Sequence, residues 1–144
     1  MSRIIDYYTK DYDVPDGALW LTFASDEHLE SSHDYIQWMF PLPEPSRAVP
    51  WSPVMTGSDI DTFRTDPVIL DRMRVSLARM MLFYARTVEW KRPGDHNHLR
   101  ITRIIRSLTV VGLRDEALAF GAWILRQGPS ATPTTLGFWE RATR

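Results

Sequence analysis

The sequence predicts an all-α fold, and three observations carry that expectation. Apolar residues recur at spacings of three and four over residues 67–86, and again over 101–111. Helix start and stop signals bracket those stretches: Asp66-Pro67, Asp95, Gly112, Gly128 and Thr132-Pro133. Strand-like character is confined to the short run Ala18-Leu19-Trp20-Leu21-Thr22-Phe23, which reads as a strand or a buried segment.

Taken in order, residues 1–24 read as extended or loop, with Pro15-Asp16-Gly17 as a turn signal. Ser25 is placed to cap a short helix over about 26–32, with Asp26 and Glu27 in its first turn. Tyr35, Ile36, Trp38, Met39 and Phe40 form an apolar knot, best fitted by a helical or 3₁₀ turn ended by Pro41. Five prolines between 41 and 53 forbid regular helix there. Trp51, Val54 and Met55 give that loop apolar anchors, and Ser58 is a cap for a short helix over 59–64.

Asp66 followed by Pro67 opens a long helix to about residue 86. Its expected stripe is Leu70, Met73, Leu77, Met80, Met81 and Tyr84. Residues 87–94 read as a loop. Asp95 caps the next helix, whose inward face is Ile101, Ile104, Ile105, Leu108 and Val111, and Gly112 ends or bends it. A third helix opens at Leu113, with Leu118, Ala122, Ile124 and Leu125 expected inward and Gly128 as its stop. A last short helix starts at Thr132-Pro133 and holds Leu136, Phe138 and Trp139.

The bulk properties bound the function. A chain of 144 residues suits one domain, 1–144. The net charge of -1 lacks the basicity of a duplex-wide nucleic-acid footprint, so no nucleic-acid partner is expected. Fifteen of the 17 basic residues are Arg, a skew that genome composition explains as well as a taste for bidentate contacts. There is no cysteine, which excludes disulfides and thiolate metal sites. No apolar run approaches the roughly 18 residues of a membrane span, and the first residues lack a signal peptide's apolar core. The expected location is the cytoplasm.

Two blocks carry a resemblance. The first is Leu29-Glu30-Ser31-Ser32-His33-Asp34-Tyr35-Ile36-Gln37-Trp38-Met39-Phe40-Pro41-Leu42, followed by Glu44-Pro45. The second is His96-Asn97-His98-Leu99-Arg100-Ile101-Thr102-Arg103-Ile104-Ile105-Arg106-Ser107-Leu108, followed by Gly112-Leu113. With the long helix between them, they resemble the opioid growth factor receptor conserved-region family over about residues 26–126. Asp95 and His98 depart from the Ser and the second Asn that the family often has there. The resemblance implies a non-catalytic binding domain. In vertebrates the family is associated with enkephalin binding and restraint of proliferation, at the nucleus and its membrane. The chain lacks the vertebrate members' C-terminal repeats, and its compact, Arg-rich form is similar to a bacterial member.

On a helical wheel Asn97 shares the apolar face of its helix, Arg100 lies at the edge, and Arg103 and Arg106 point away. His33 and Gln37 are four apart and share a face if that stretch is helical. Two readings stay open. In one, Asn97, His96 and Gln37 bond carbonyls of the Pro-rich loop. In the other, His33, Gln37, Trp38, His96, Asn97, Arg100 and Arg103 line a site near a helix N-terminus, suited to an anionic or carboxylate ligand. The ligand would be a small molecule, peptide or protein.

No catalytic residue, metal site or cofactor is expected. His96 and His98 are two apart and diverge on a helix, and there is no Gly-rich phosphate loop. The alternative is a small-molecule or cofactor-binding enzyme using His33 and His96. A third reading is a structural role in a larger complex, with Arg103 and Arg106 as contacts.

Overall fold

The computed structural model describes residues 2–144, and every regular element among them is helical. The chain divides into two units, residues 1–80 and 81–144. Among the described residues no helix is long and apolar enough to cross a membrane.

The first unit begins with a helix where the sequence reads as loop. α1 spans Arg3–Tyr8, and Ser2 Oγ accepts the Ile5 N–H at 3.2 Å as its cap. Ile4, Tyr7 and Tyr8 are its buried residues, a three-four spacing too short to stand out in sequence. Ala18–Thr22 forms α2 rather than a strand, and α3 spans Asp26–Ser31 with Ser25 as its cap, as expected. α4 is a single turn, Ile36–Met39, in the apolar knot.

The Pro-rich segment is a loop closed by its own bonds, including Met55 N–H to the Leu42 carbonyl at 2.9 Å. α5, Gly57–Thr65, starts earlier than Ser58 implies. Thr56 is the cap, and its bonds with Asp59 form a reciprocal capping box.

α6 spans Pro67–Arg86, with Asp66 Oδ1 accepting the Val68 N–H at 3.0 Å. Its buried face is Ile69, Met73, Ser76, Leu77, Arg79, Met80, Phe83 and Tyr84. Leu70 and Met81, expected inward, are half-buried. The seam lies one residue to the side because the helix also points polar groups inward. Arg72 Nη1 donates to the Tyr8 carbonyl at 2.7 Å. The Tyr8 hydroxyl donates to the Met39 carbonyl at 2.7 Å and shares a bond with Ser76 Oγ at 3.1 Å. Arg79 Nη2 donates to the Ala24 carbonyl and to Asp26 Oδ1, each at 2.8 Å.

The second unit holds the end of α6, a 3₁₀ turn at Glu89–Lys91 inside the expected loop, and three helices. They are α7 at Asn97–Val110, α8 at Arg114–Arg126 and α9 at Pro133–Arg141, with α8 and α9 both packed on α7. The five expected inward residues of α7 are wholly buried. Each such aliphatic side chain stabilises by about 1.5–3 kcal/mol. Gly112, at φ 94°, takes the left-handed position of a Schellman stop, and Leu113 N–H reaches the Leu108 carbonyl at 2.8 Å.

On α8 the face is phased differently from expectation. Ala117, Phe120 and Ile124 are buried, whereas Leu118, Ala122 and Leu125 are exposed. On α9 Trp139 is buried, and Leu136 and Phe138 are exposed.

Arg79→Ala should cost about 2–3 kcal/mol, because it strips a donor from the Ala24 carbonyl and a cation from Asp26. Urea unfolding of the two proteins measures it, and an unchanged midpoint would show that this buried contact contributes nothing net.

Candidate functional site

The Pro15-Asp16-Gly17 signal builds one wall of a cleft in the first unit. Gly17 N–H returns to the Val14 carbonyl at 2.9 Å, with Pro15 and then Asp16 at the corner positions. Asp16 takes φ 63°, as the second corner of a type II turn requires. Gly17 is required for another reason: a Cβ there would meet the backbone oxygens of Asp11, Tyr12 and Val14 at 2.5, 2.8 and 2.9 Å.

The cleft has a volume of about 510 Å³. Three carboxylates line it, Asp11, Asp16 and Asp34, together with the rings of Tyr7, Tyr35 and Trp38. His28 and Ser32 of the α3 region complete its polar lining, and among the described residues no Lys or Arg lines it. Ser32 Oγ donates to Asp34 Oδ1 at 2.9 Å. The Tyr35 hydroxyl is used elsewhere, donating to the Leu29 carbonyl at 2.7 Å.

Tyr7 differs from its neighbours. Its side chain is 8% exposed, and its hydroxyl is buried with no hydrogen-bond partner among the described residues. Burial pushes its phenol far above the ordinary tyrosine range, with Tyr8, Tyr12, Asp16 and Tyr35 adding to the effect. Tyr8 is also pushed up, chiefly by burial, against a lowering bond from Ser76. The Tyr7 ring lies 5.7 Å from that of Trp38, and the Arg3 guanidinium stands 5.0 Å from the Trp38 ring centre.

Of the residues expected at a site, His33, Gln37 and Trp38 belong to the first unit. Trp38 lines the cleft, half-buried. Gln37 is buried in α4. His33 is exposed and precedes α4, so the four-residue helical spacing with Gln37 does not apply. Tyr7, Asp11 and Asp16 line the cleft although the sequence does not single them out as site residues. The acidic spacing Asp11, Asp13, Asp16 around a turn was the available signal.

His96, Asn97, Arg100 and Arg103 belong to the second unit. There Asn97, fully buried, organises the start of α7. Its backbone N–H and its Nδ2 donate to Asp95 Oδ1 at 2.9 and 3.0 Å. The Tyr84 hydroxyl and Arg100 Nη1 donate to Asn97 Oδ1 at 3.3 and 3.4 Å. His96 is exposed, with Nε2 3.4 Å from Asn97 Nδ2 and Nδ1 3.7 Å from Asp95 Oδ1. Arg100, placed at the edge of the stripe by the wheel, is buried, and Arg103 is half-buried.

His98 is buried too. Its Nε2 lies 2.7 Å from the Trp90 carbonyl, so that nitrogen carries the proton, and its own carbonyl accepts from Trp139 Nε1 at 3.2 Å. Among the described residues no group of three His, Asp or Glu side chains is arranged to hold a metal ion.

Comparison with known proteins places these units in a family. The opioid growth factor receptor (OGFr) conserved region matches residues 5–95, more than half of the chain. The opioid growth factor receptors of Mus musculus and Homo sapiens are 33% and 34% identical over 104 residues, 59% of this chain. The opioid growth factor receptor-like protein 1 of Rattus norvegicus is 32% identical over 103 residues, 60% of the chain. The chain therefore belongs to the opioid growth factor receptor conserved-region family. It spans 16%, 15% and 22% of those three relatives' lengths. The family match takes in α1 and α2, upstream of the span the two sequence blocks imply, and ends just before His96. No solved structure matches the chain.

Asn97→Ala should destabilise by about 2 kcal/mol, since it removes the buried amide oxygen that accepts from the Tyr84 hydroxyl and Arg100. Thermal or urea unfolding reads this, and a change within error would mean the network is replaceable. The tyrosines give a second expectation. Tyr7 and Tyr8 stay protonated in the folded state, whereas unfolded tyrosine ionises near pH 10. Their contribution is fully present below about pH 10 and is lost as pH rises toward their higher folded values. Phenolate absorbance against pH, compared with Tyr7→Phe and Tyr8→Phe, should show both rings ionising only with unfolding. Reversible ionisation of either in the folded protein would refute it.

Proposed function

We propose that this chain is a non-catalytic binding module that takes part of a peptide or protein into the cleft of its first unit. The observation that carries the reading is the cleft itself: carboxylates and aromatic rings face one open space of about 510 Å³. A few placed polar groups among aromatic walls is the usual composition of a recognition site. All the lining residues fall between Tyr7 and Trp38, inside the family-matched segment 5–95. The relatives' name, opioid growth factor receptor, is that of a receptor, which agrees with a binding role. The polar network of Asp95, Asn97 and Arg100 orders the start of α7 in this reading, and His33, Gln37, His96 and Arg103 lie outside the recognition surface.

Co-purification followed by mass spectrometry, with wild type beside Trp38→Ala and Asp34→Asn, tests it. A species held by wild type should fall at least several-fold in both variants while His96→Ala, at an exposed position of the second unit, retains it. Equal recovery with the cleft variants would remove the cleft from the function. A wild-type sample no richer than the empty resin would remove the binding-module reading.

A further inference from the structure

The outer face of α8 carries a pattern that its own chain does not use. The inner face, Ala117, Phe120 and Ile124, is buried, and α8 packs on α7. The outer face reads Asp115, Leu118, Ala119, Ala122, Leu125 and Arg126, all exposed, with Leu118 at 41% and Leu125 at 53%. A single exposed leucine needs no explanation, because much of any folded surface is apolar. Here the apolar residues fall in one stripe. Asp115, Leu118, Ala122 and Leu125 stand at spacings of three, four and three, the repeat of a helix seam that meets another helix.

The charges at the two ends of the stripe specify that other helix. Asp115 and Arg126 are eleven residues apart, which sets them about 16 Å apart along the axis and only about 20° apart around it. Both therefore sit on the same flank of the apolar stripe. Among the described residues neither makes an ion pair within the chain. The sign of each suits its end of the helix dipole, but the dipole accounts neither for the exposed leucines between them nor for the shared flank. A complementary helix must offer apolar residues in the middle, a base beside Asp115 and an acid beside Arg126. A second copy of α8, running antiparallel, offers all three.

We propose that α8 is the contact of a two-fold symmetric dimer, packed antiparallel on the α8 of a second copy of this chain. With the axis near residue 120, Leu118 meets the second copy's Ala122 and Ala122 meets its Leu118. Each layer then pairs a large side chain with a small one. Asp115 stands within one residue's rise of the second copy's Arg126, and the reciprocal pair lies at the other end of the contact. Such a patch is its own complement. A parallel pairing would set Asp115 against Asp115 and Arg126 against Arg126, and like charges so placed repel. One helix face is small beside the roughly 800 Å² per partner of a stable interface. The dimer is therefore weak, and its population depends on protein concentration. This contact is independent of the cleft, which belongs to the first unit.

Sedimentation equilibrium of the purified full chain, from about 10 µM to about 1 mM, reads the monomer–dimer balance. Wild type should move from monomer toward dimer across that range. Leu118→Glu places a charge in the seam and should weaken association at least about tenfold. The position is exposed, so the chain still folds, which circular dichroism checks. Asp115→Arg alone and Arg126→Asp alone should each weaken it several-fold, because each sets like charges together at both ends of the contact. Mixed one to one, those two variants should associate with each other at least as tightly as wild type does with itself, since each supplies the charge that the other lacks. Loss of fold in either variant would persist in the mixture, so recovery there reports pairing.

Wild type that stays monomeric to about 1 mM overturns the proposal and leaves the face to a different helix. A dimer indifferent to Leu118→Glu overturns it as well, because the contact then lies elsewhere on the chain. A mixture that associates no better than its separate parts overturns the antiparallel pairing.

Discussion

Helices of four to six residues do not persist alone, because about 12–15 residues are needed before an isolated helix is even marginal in water. The first unit contains four of them, α1 to α4, and each ends in carbonyls that lack a helical partner. What holds them is one row of polar side chains on the buried side of α6. Arg72, Ser76 and Arg79 stand at spacings of four and three. Arg72 closes the end of α1 at the Tyr8 carbonyl, and Ser76 meets the Tyr8 hydroxyl that closes α4 at the Met39 carbonyl. Arg79 reaches the Ala24 carbonyl between α2 and α3 and the Asp26 carboxylate in the first turn of α3.

The cleft depends on that arrangement. Tyr7 comes from α1, Asp16 and Gly17 from the turn before α2, and Asp34 and Trp38 from the segment around α4. None of these pieces would hold position by local propensity. The second unit solves a similar problem with a buried amide. Asn97 meets Asp95 on one side and Tyr84 and Arg100 on the other, so the first turn of α7 is closed by side chains from three positions. Trp90 plays a matching part, donating from Nε1 to the Tyr84 and Thr87 carbonyls at 3.0 Å each, which finishes α6.

The candidate site was only partly legible in the sequence. The motif His33 through Pro41 supplies three residues of the cleft lining, Asp34, Tyr35 and Trp38, of which only Trp38 was expected at a site. Asn97 was correctly placed inward from the helical wheel. The acidic spacing at 11–16 is visible in the sequence, but any solvated turn can show it. That Tyr7 lines the same cleft and is buried is not visible there, because burial is a property of what packs over a residue.

Several features followed from the sequence by itself. They are the all-α class, the starts at Ser25, Asp66 and Thr132, the Gly112 stop, and the aliphatic stripe Ile101, Ile104, Ile105 and Leu108 of α7. Each rests on groups within a turn or two of one another, which is the range over which capping, left-handed glycine and three-four periodicity act. Tertiary structure alone decided the existence of α1, the inward Arg79, the phase of α8 and the cleft. α8 shows why. Leu118, Ala122 and Leu125 make as good a stripe as Ala117, Phe120 and Ile124 on paper, and only the surface of α7 selects between them. Arg79 shows the complementary case. A cation on a buried face contradicts the pattern until the carbonyl of Ala24 and the carboxylate of Asp26, more than fifty residues away in sequence, are brought against it.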